Sequence, residues 1–284
     1  MEQHPQQRKK SPTASFGRKM SHAISDRARR CSVAVAPQLR KLDGIECLME
    51  TSQLTIEIVN ENDVILAAER FGMHNACEFA PISMRVVNHA GTVIMTARLN
   101  CDEFVVYDVS LEAKRLMAFA LSDPNARTPM VLGSPVAKIK HPVTGMKLFI
   151  FVQLVDPSQP AVYHVYKTTN EKEKHPPILV IEERRSLMMR ALAGFGCTFA
   201  DETFSIKKDG QVIADVGPKL NYNSNTNIYS ISFNQNAGQD ERVIAFNFGL
   251  LQMLRGAYPQ LLHIMEEQRI RKGASSWRRI PLYE

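Results

Sequence analysis

The sequence predicts a mainly β, antiparallel fold, a barrel or a sandwich, that ends on one long apolar helix. Three observations carry this. Short strand-like runs follow one another from about residue 52 to residue 233, separated by Gly, Asn and Asp turn residues. Their spacing is that of hairpins rather than of βαβ units. Residues 243–265 then form the one apolar stretch long enough to be considered for crossing a bilayer, whose core takes about 20 such residues.

In chain order, residues 1–41 are polar and basic without hydrophobic periodicity and are expected to be disordered. Residues 1–40 hold nine Lys or Arg against Glu2 and Asp26, a net of +7. Residues 268–284 hold five against Glu284, a net of +4. The whole chain is +6, which leaves −5 for residues 41–267. The basic balance therefore belongs to the ends. Basic tails on a mildly acidic body point to an anionic partner, a membrane surface or nucleic acid. The candidate contacts are Arg8, Lys9, Lys10, Arg27, Arg29 and Arg30 in the first tail, and Arg269, Arg271, Lys272, Arg278 and Arg279 in the second, with Trp277 as an interfacial anchor. Residues 1–40 lack the apolar core of a secretory signal, and the five cysteines are scattered without a CxxC pair. Both features suit a reducing compartment.

The body begins with Leu54–Val59, a turn at Asn60–Asp63, and a second strand at Val64–Ala68. Ile82–Val87 and Val93–Thr96 form a hairpin around Gly91. Further strands are expected at Val136–Ile139, Lys147–Leu154, Val162–Tyr166, Ile178–Ile181, Phe204–Lys207, Val212–Val216 and Ile228–Phe233. Asp209-Gly210 is the strongest hairpin turn. Leu111–Leu121 and Arg184–Ala193 have helical composition and read as short helices or long loops. The two glycine hairpins echo each other about 120 residues apart, which suggests either two pseudo-symmetric halves or the same turn chemistry used twice.

The final helix reads in two parts. Val243–Leu251 is apolar nearly all round, whereas Gln252, Arg255, Pro259, Gln260, His263 and Glu266 recur at helical spacing. That pattern fits a helix enclosed at its start and emerging with a wet face; a bilayer span or an interfacial helix are the alternatives. Catalytic signatures such as GxSxG, HExxH or a phosphate-binding glycine loop do not occur, and the eight histidines are dispersed.

Several runs resemble one family. Ile65-Leu66-Ala67-Ala68-Glu69 followed by Met84-Arg85-Val86-Val87-Asn88, Gly91, Val93-Ile94 and Arg98-Leu99 looks like the N-terminal half of phospholipid scramblases. The hairpin Phe204-Ser205-Ile206 to Gly210-Gln211-Val212-Ile213 is similar to later strands of that family, and Asp240 followed by Phe246-Asn247-Phe248-Gly249 resembles its C-terminal end. The resemblance covers roughly 42–265 and is strongest over 64–99. It implies a closed antiparallel, tubby-like β-barrel over 42–267, with a central hydrophobic helix at about 241–267 and one or two short peripheral helices. It also implies a membrane-associated protein at the cytoplasmic face, chiefly of the plasma membrane, that mediates or assists phospholipid movement between leaflets. A phosphoinositide- or nucleic-acid-binding tubby-like module, with a nuclear location, is the alternative. Where the family carries an acidic calcium segment this chain has Asp240 and Glu241, too few oxygen ligands for strong calcium binding. Where the family carries a palmitoylated cysteine cluster this chain has Cys101 alone.

Overall fold

The computed structural model of the chain describes residues 41–74, 81–100, 103–110, 112–121, 134–154, 161–168, 176–184, 202–219 and 228–257. The described residues from Leu42 onward belong to one compact unit. Of the expected tails, 1–41 and 268–284, all but Lys41 lie outside the described residues.

The described strands are β1 (Gln53–Ile58), β2 (Ile82–Asn88), β3 (Val93–Asn100), β4 (Glu103–Asp108), β5 (Arg115–Leu121), β6 (Ser134–Lys140), β7 (Lys147–Leu154), β8 (Val162–Lys167), β9 (Leu179–Glu183), β10 (Phe204–Lys208), β11 (Gln211–Pro218) and β12 (Ile228–Phe233). Each pairs antiparallel with its neighbour in sequence, and β1 pairs with β12, so the sheet is a closed up-and-down barrel. Closure leaves no unpaired edge. The described helices are α1 (Glu46–Met49), α2 (Glu61–His74) and α3 (Gln239–Ala257).

Period-two alternation puts one face of every strand inside. Leu54 and Ile56, Met84 and Val86, and Met95, Ala97 and Leu99 are buried in this way on β1 to β3. Around the ring the pattern continues with Phe104 and Val106, Met117 and Phe119, Phe149 and Phe151, and Phe204 and Ile206. Side chains from α3 join this core. Val243, Ile244, Phe246, Phe248, Leu250, Leu251, Met253 and Leu254 are all buried. Phe248 lies 5.1 Å from Tyr163 and from Phe204, and 6.3 Å from Phe151, ring centre to centre. Partners on β7, β8 and β10 are thus met by one residue. Gly249, next along, faces β12 and β1: a Cβ there would stand 2.6 Å from Ile231 Cδ1 and 3.2 Å from Ile56 Cδ1. A glycine lets the helix backbone approach those strands closely.

Several sequence expectations are corrected. Val64–Ala68 is not a strand but part of α2. Glu61 and Asp63 in its first turn suit a helix start, and Val64 and Ala67 bury one side while Ile65 and Leu66 face solvent. Five successive apolar residues read equally well in either period, and the Ala-Ala-Glu strand of the resemblance is therefore helix here. Leu111–Leu121 is not helical. Its described residues form the turn and second strand of a β4–β5 hairpin, with Met117 and Phe119 inward, and the sequence does not announce β4 because Phe104-Val105-Val106 is a short apolar run without alternation. Of the Arg184–Ala193 segment only Arg184 is described.

The two glycine hairpins are not halves of a repeat. Sequence order is ring order, so a half-turn of twelve strands would carry β2–β3 onto β8–β9, not onto β10–β11. Their turns also differ. Asp209 and Gly210 both have positive φ and join Lys208 directly to Gln211, a two-residue loop of the primed kind. At Asn88 the side-chain Oδ1 accepts from the N–H groups of Ala90 and Thr92, and Gly91 alone takes positive φ. The likeness is turn chemistry used twice.

Candidate functional site

Because strands alternate in direction, the barrel has a proximal end, where α3 begins, and a distal end, where its described part finishes. Polar side chains collect on α3 at both. The first turn of a helix offers unsatisfied N–H groups and favours carboxylates. Asp240 and Glu241 occupy that turn. Lys167, the last residue of β8, donates from Nζ to Asp240 Oδ2 at 2.9 Å, and Lys208, the last of β10, donates to Glu241 Oε1 at 2.6 Å. Burial works against ionisation of Glu241, but the Lys208 ammonium and the N–H groups of Glu241 and Gly238 outweigh it and hold the carboxyl below its ordinary range. The same contact pushes the Lys208 ammonium above its usual range.

This arrangement fits an electrostatic clamp better than a calcium cage. Calcium takes six to eight oxygens, and both carboxylates here are already engaged by an ammonium. Among the described residues no group of three or more His, Cys, Asp and Glu is placed to hold a metal ion.

Beside the clamp lies Arg242, buried although arginine is rarely so. Its Nε donates to the carbonyl of Ala237 at 2.9 Å, and its Nη1 to those of Leu48 at 2.8 Å and Thr51. The guanidinium also stands 4.7 Å from the ring centre of Phe233. One side chain thus ties α1, the approach to β1, the end of β12 and the start of α3. Desolvation lowers its pKa, and the three carbonyl dipoles and the ring offset the cost of burying the charge. Sequence reasoning missed Arg242: directly after Asp240 and Glu241 it reads as one more charged residue of a solvated first turn, and nothing local marks it as buried.

The polar stripe expected to be wet from Gln252 onward is corrected at Gln252 and Arg255, and its continuation through Pro259, Gln260, His263 and Glu266, with the rest of the helix expected to 267, lies outside the described residues. Gln252 is 2 % exposed, and Arg255 is half-buried, donating from Nη1 to the Tyr163 hydroxyl at 2.7 Å and to Gln153 Oε1 at 3.2 Å. The enclosing wall of β7 and β8 extends further along the helix than its composition suggests. Inside, Asn247 donates to the carbonyl of Val243, while Asn247 Oδ1 and Gln252 Nε2 have no hydrogen-bond partner among the described residues. Five residues apart on a helix they point about 140° away from each other, so no single small ligand satisfies both.

No family model, curated protein or solved structure matches this chain. The site therefore rests on its own geometry. Asp240 and Glu241 are brought together with Lys167 and Lys208. The other sequence candidates (Arg8, Lys9, Lys10, Arg27, Arg29, Arg30, Cys101, Arg269, Arg271, Lys272, Trp277, Arg278 and Arg279) lie outside the described residues. Cys47 is half-buried, and burial raises its thiol pKa, which makes it a poor nucleophile. No helix among the described residues is long and apolar enough to cross a membrane.

Proposed function

We propose that the chain is a scramblase-like, tubby-like barrel protein that works at the cytoplasmic face of an anionic membrane and mediates or assists phospholipid movement between leaflets. The observation that carries the reading is the pairing of a closed antiparallel barrel with a final helix, α3, whose side chains meet strands around the ring. That pairing supports the architecture the resemblance implies. The commitment of α3 to the core gives the proposal its form. Eight apolar side chains that pack inside cannot also face lipid without opening the barrel. Attachment therefore falls to surface cations, the basic tails foremost, each contributing about 1 kcal/mol beside an anionic leaflet.

The same commitment favours a second reading, in which the barrel binds an anionic lipid surface and moves nothing. Flotation with vesicles of phosphatidylcholine and phosphatidylserine, at physiological salt, tests the part the two readings share; a protein that stays at the bottom of the gradient ends both. A leaflet-exchange assay on reconstituted vesicles, with and without calcium, separates them. Exchange of labelled lipid supports the first, and binding without exchange in either condition leaves only the second.

A further inference from the structure

The proximal end carries a feature that the clamp and the core do not explain. Two hairpins stand there side by side, since β5 and β6 are paired: the β4–β5 turn over 109–114 and the β6–β7 turn over 141–146. With strands spaced by about 4.8 Å, the two hairpins are roughly 10 Å apart across the sheet, and the pairings Tyr107–Arg115 and Ala118–Lys140 set the first tip about three residues further out along the strands. Each presents an aliphatic side chain to water, Val109 at 54 % exposure and Val143 at 86 %. Around them Lys114, Arg115 and Lys147 are exposed, with no ion pair to a carboxylate among the described residues. Glu112 is exposed on the same tips, and Asp43 and Glu46 are exposed in the neighbouring segment whose Gly44 approaches Leu116, so the cations face acidic company on that side. The Asp108 carboxylate is turned back, accepting from the Ser110 hydroxyl and the Lys114 N–H, both at 2.8 Å.

Neither valine is exposed because its loop is slack. The first turn is closed by Asp108 and Ser110 as above, with Ala113 N–H donating to the Ser110 carbonyl at 2.9 Å. In the second, His141 Nδ1 accepts from the N–H groups of Val143 at 3.3 Å and Thr144 at 3.2 Å, and Gly145 donates to the His141 carbonyl at 3.0 Å. Single exposed aliphatics are ordinary on protein surfaces. Two held on adjacent convex tips and bracketed by exposed cations form a pattern that suits a bilayer, where apolar tips enter the headgroup boundary and cations meet phosphates.

We propose that the tips at Val109 and Val143, with Lys114, Arg115 and Lys147, form a docking edge for an anionic phospholipid bilayer. The inference rests on the membrane reading and sharpens it. The barrel would meet the membrane with the end at which α3 begins, leaving α2 and the Arg255 end directed away.

The test uses the full chain and vesicles of phosphatidylcholine with phosphatidylserine, compared with phosphatidylcholine alone. Three variants are needed: Val109→Asp with Val143→Asp; Lys114→Glu with Arg115→Glu and Lys147→Glu; and, as a control at the distal end, Val59→Asp with Met73→Asp, which alters residues that are also well exposed. Thermal melts check that each is folded. The docking edge predicts that both proximal variants lose about tenfold or more in vesicle affinity, that the control binds as wild type, and that binding to neutral vesicles is weak throughout. Wild-type binding that both proximal variants retain overturns the edge while leaving the membrane reading in place. An equal loss in the distal control overturns the orientation and the edge with it. Failure of the wild type to bind at all removes the membrane reading and, with it, this inference.

Discussion

Arg255 donates from Nη1 to the hydroxyl of Tyr163 at 2.7 Å, and its guanidinium lies 5.7 Å from the centre of the same ring. The helix end is thus fastened to β8 by a charge-assisted hydrogen bond that the spacing of polar residues did not foretell. Replacing Arg255 with Leu removes that bond and strands the hydroxyl of a buried tyrosine, a loss of about 1–2 kcal/mol. Tyr163→Phe costs less, because the cation keeps Gln153 and water. In urea unfolding the double variant should show less than the sum of the two single losses. An Arg255→Leu variant as stable as wild type would mean that the pair contributes nothing.

Arg242→Met tests the tie at the proximal end. The methionine fills much of the space but leaves the carbonyls of Ala237, Leu48 and Thr51 without the donors that now satisfy them. An unpaired buried carbonyl costs about 1–3 kcal/mol, so a total near 3 kcal/mol is expected after partial relaxation. Arg242→Lys should not restore it, since one ammonium cannot reproduce the planar fork that spans the three acceptors. Chemical denaturation of the three proteins reads this directly.

Acid should loosen the clamp at Glu241. Its carboxyl pKa is depressed in the fold, so its contribution is full above the unfolded value near 4.5 and is lost as pH falls through the lower folded value. Glu241→Gln removes that contribution, about 0.5–1 kcal/mol for a carboxylate in a helix first turn, and flattens stability against pH between about 5 and 3. Equal pH slopes for the wild type and the variant would refute the assignment.

Much of the barrel was legible because period-two alternation is local: Leu54 and Ile56, or Phe204 and Ile206, announce their face without knowledge of what they meet. The errors have a common cause. Val64–Ala68 and Leu111–Leu121 are runs in which consecutive apolar residues erase the period, so strand and helix were exchanged between them. The site was less legible than the fold. Asp240 and Glu241 were visible as a helix start, but their lysines lie 73 and 33 residues away, and only ring closure brings strand ends to that turn. For α3 the wetness of Gln252 and Arg255 depended on how far the walls of β7 and β8 extend, a quantity composition does not carry.

Ala113 has φ +45, in the left-handed region that favours glycine, and sits in the turn that presents Val109. The left-handed conformation costs an L-residue about 1 kcal/mol. Ala113→Gly relieves it at the expense of greater freedom in the unfolded chain, so a net gain of about 0.5 kcal/mol is expected. A melting temperature lower than wild type would show the alanine methyl to be useful where it stands.

Gly249 sets two terms against each other. Alanine in a helix interior is better than glycine by about 1 kcal/mol. The new methyl, however, would stand 2.6 Å from Ile231 Cδ1 and 3.1 Å from Ile231 Cγ1, in a core where both Ile231 and Ile56 are buried. Overpacking costs about 1–3 kcal/mol, so Gly249→Ala should be destabilising by about 1 kcal/mol net, and Gly249→Val by considerably more. Ile231→Val, which removes the nearest atom, costs about 1 kcal/mol alone. In the double variant Gly249→Ala/Ile231→Val the clash is largely gone while the helix term remains, so the pair should be more stable than additivity allows by about 1 kcal/mol. Strict additivity in a denaturant cycle would mean that α3 can shift away from β12 freely, and the close approach at Gly249 would then not be what fixes the helix against that wall.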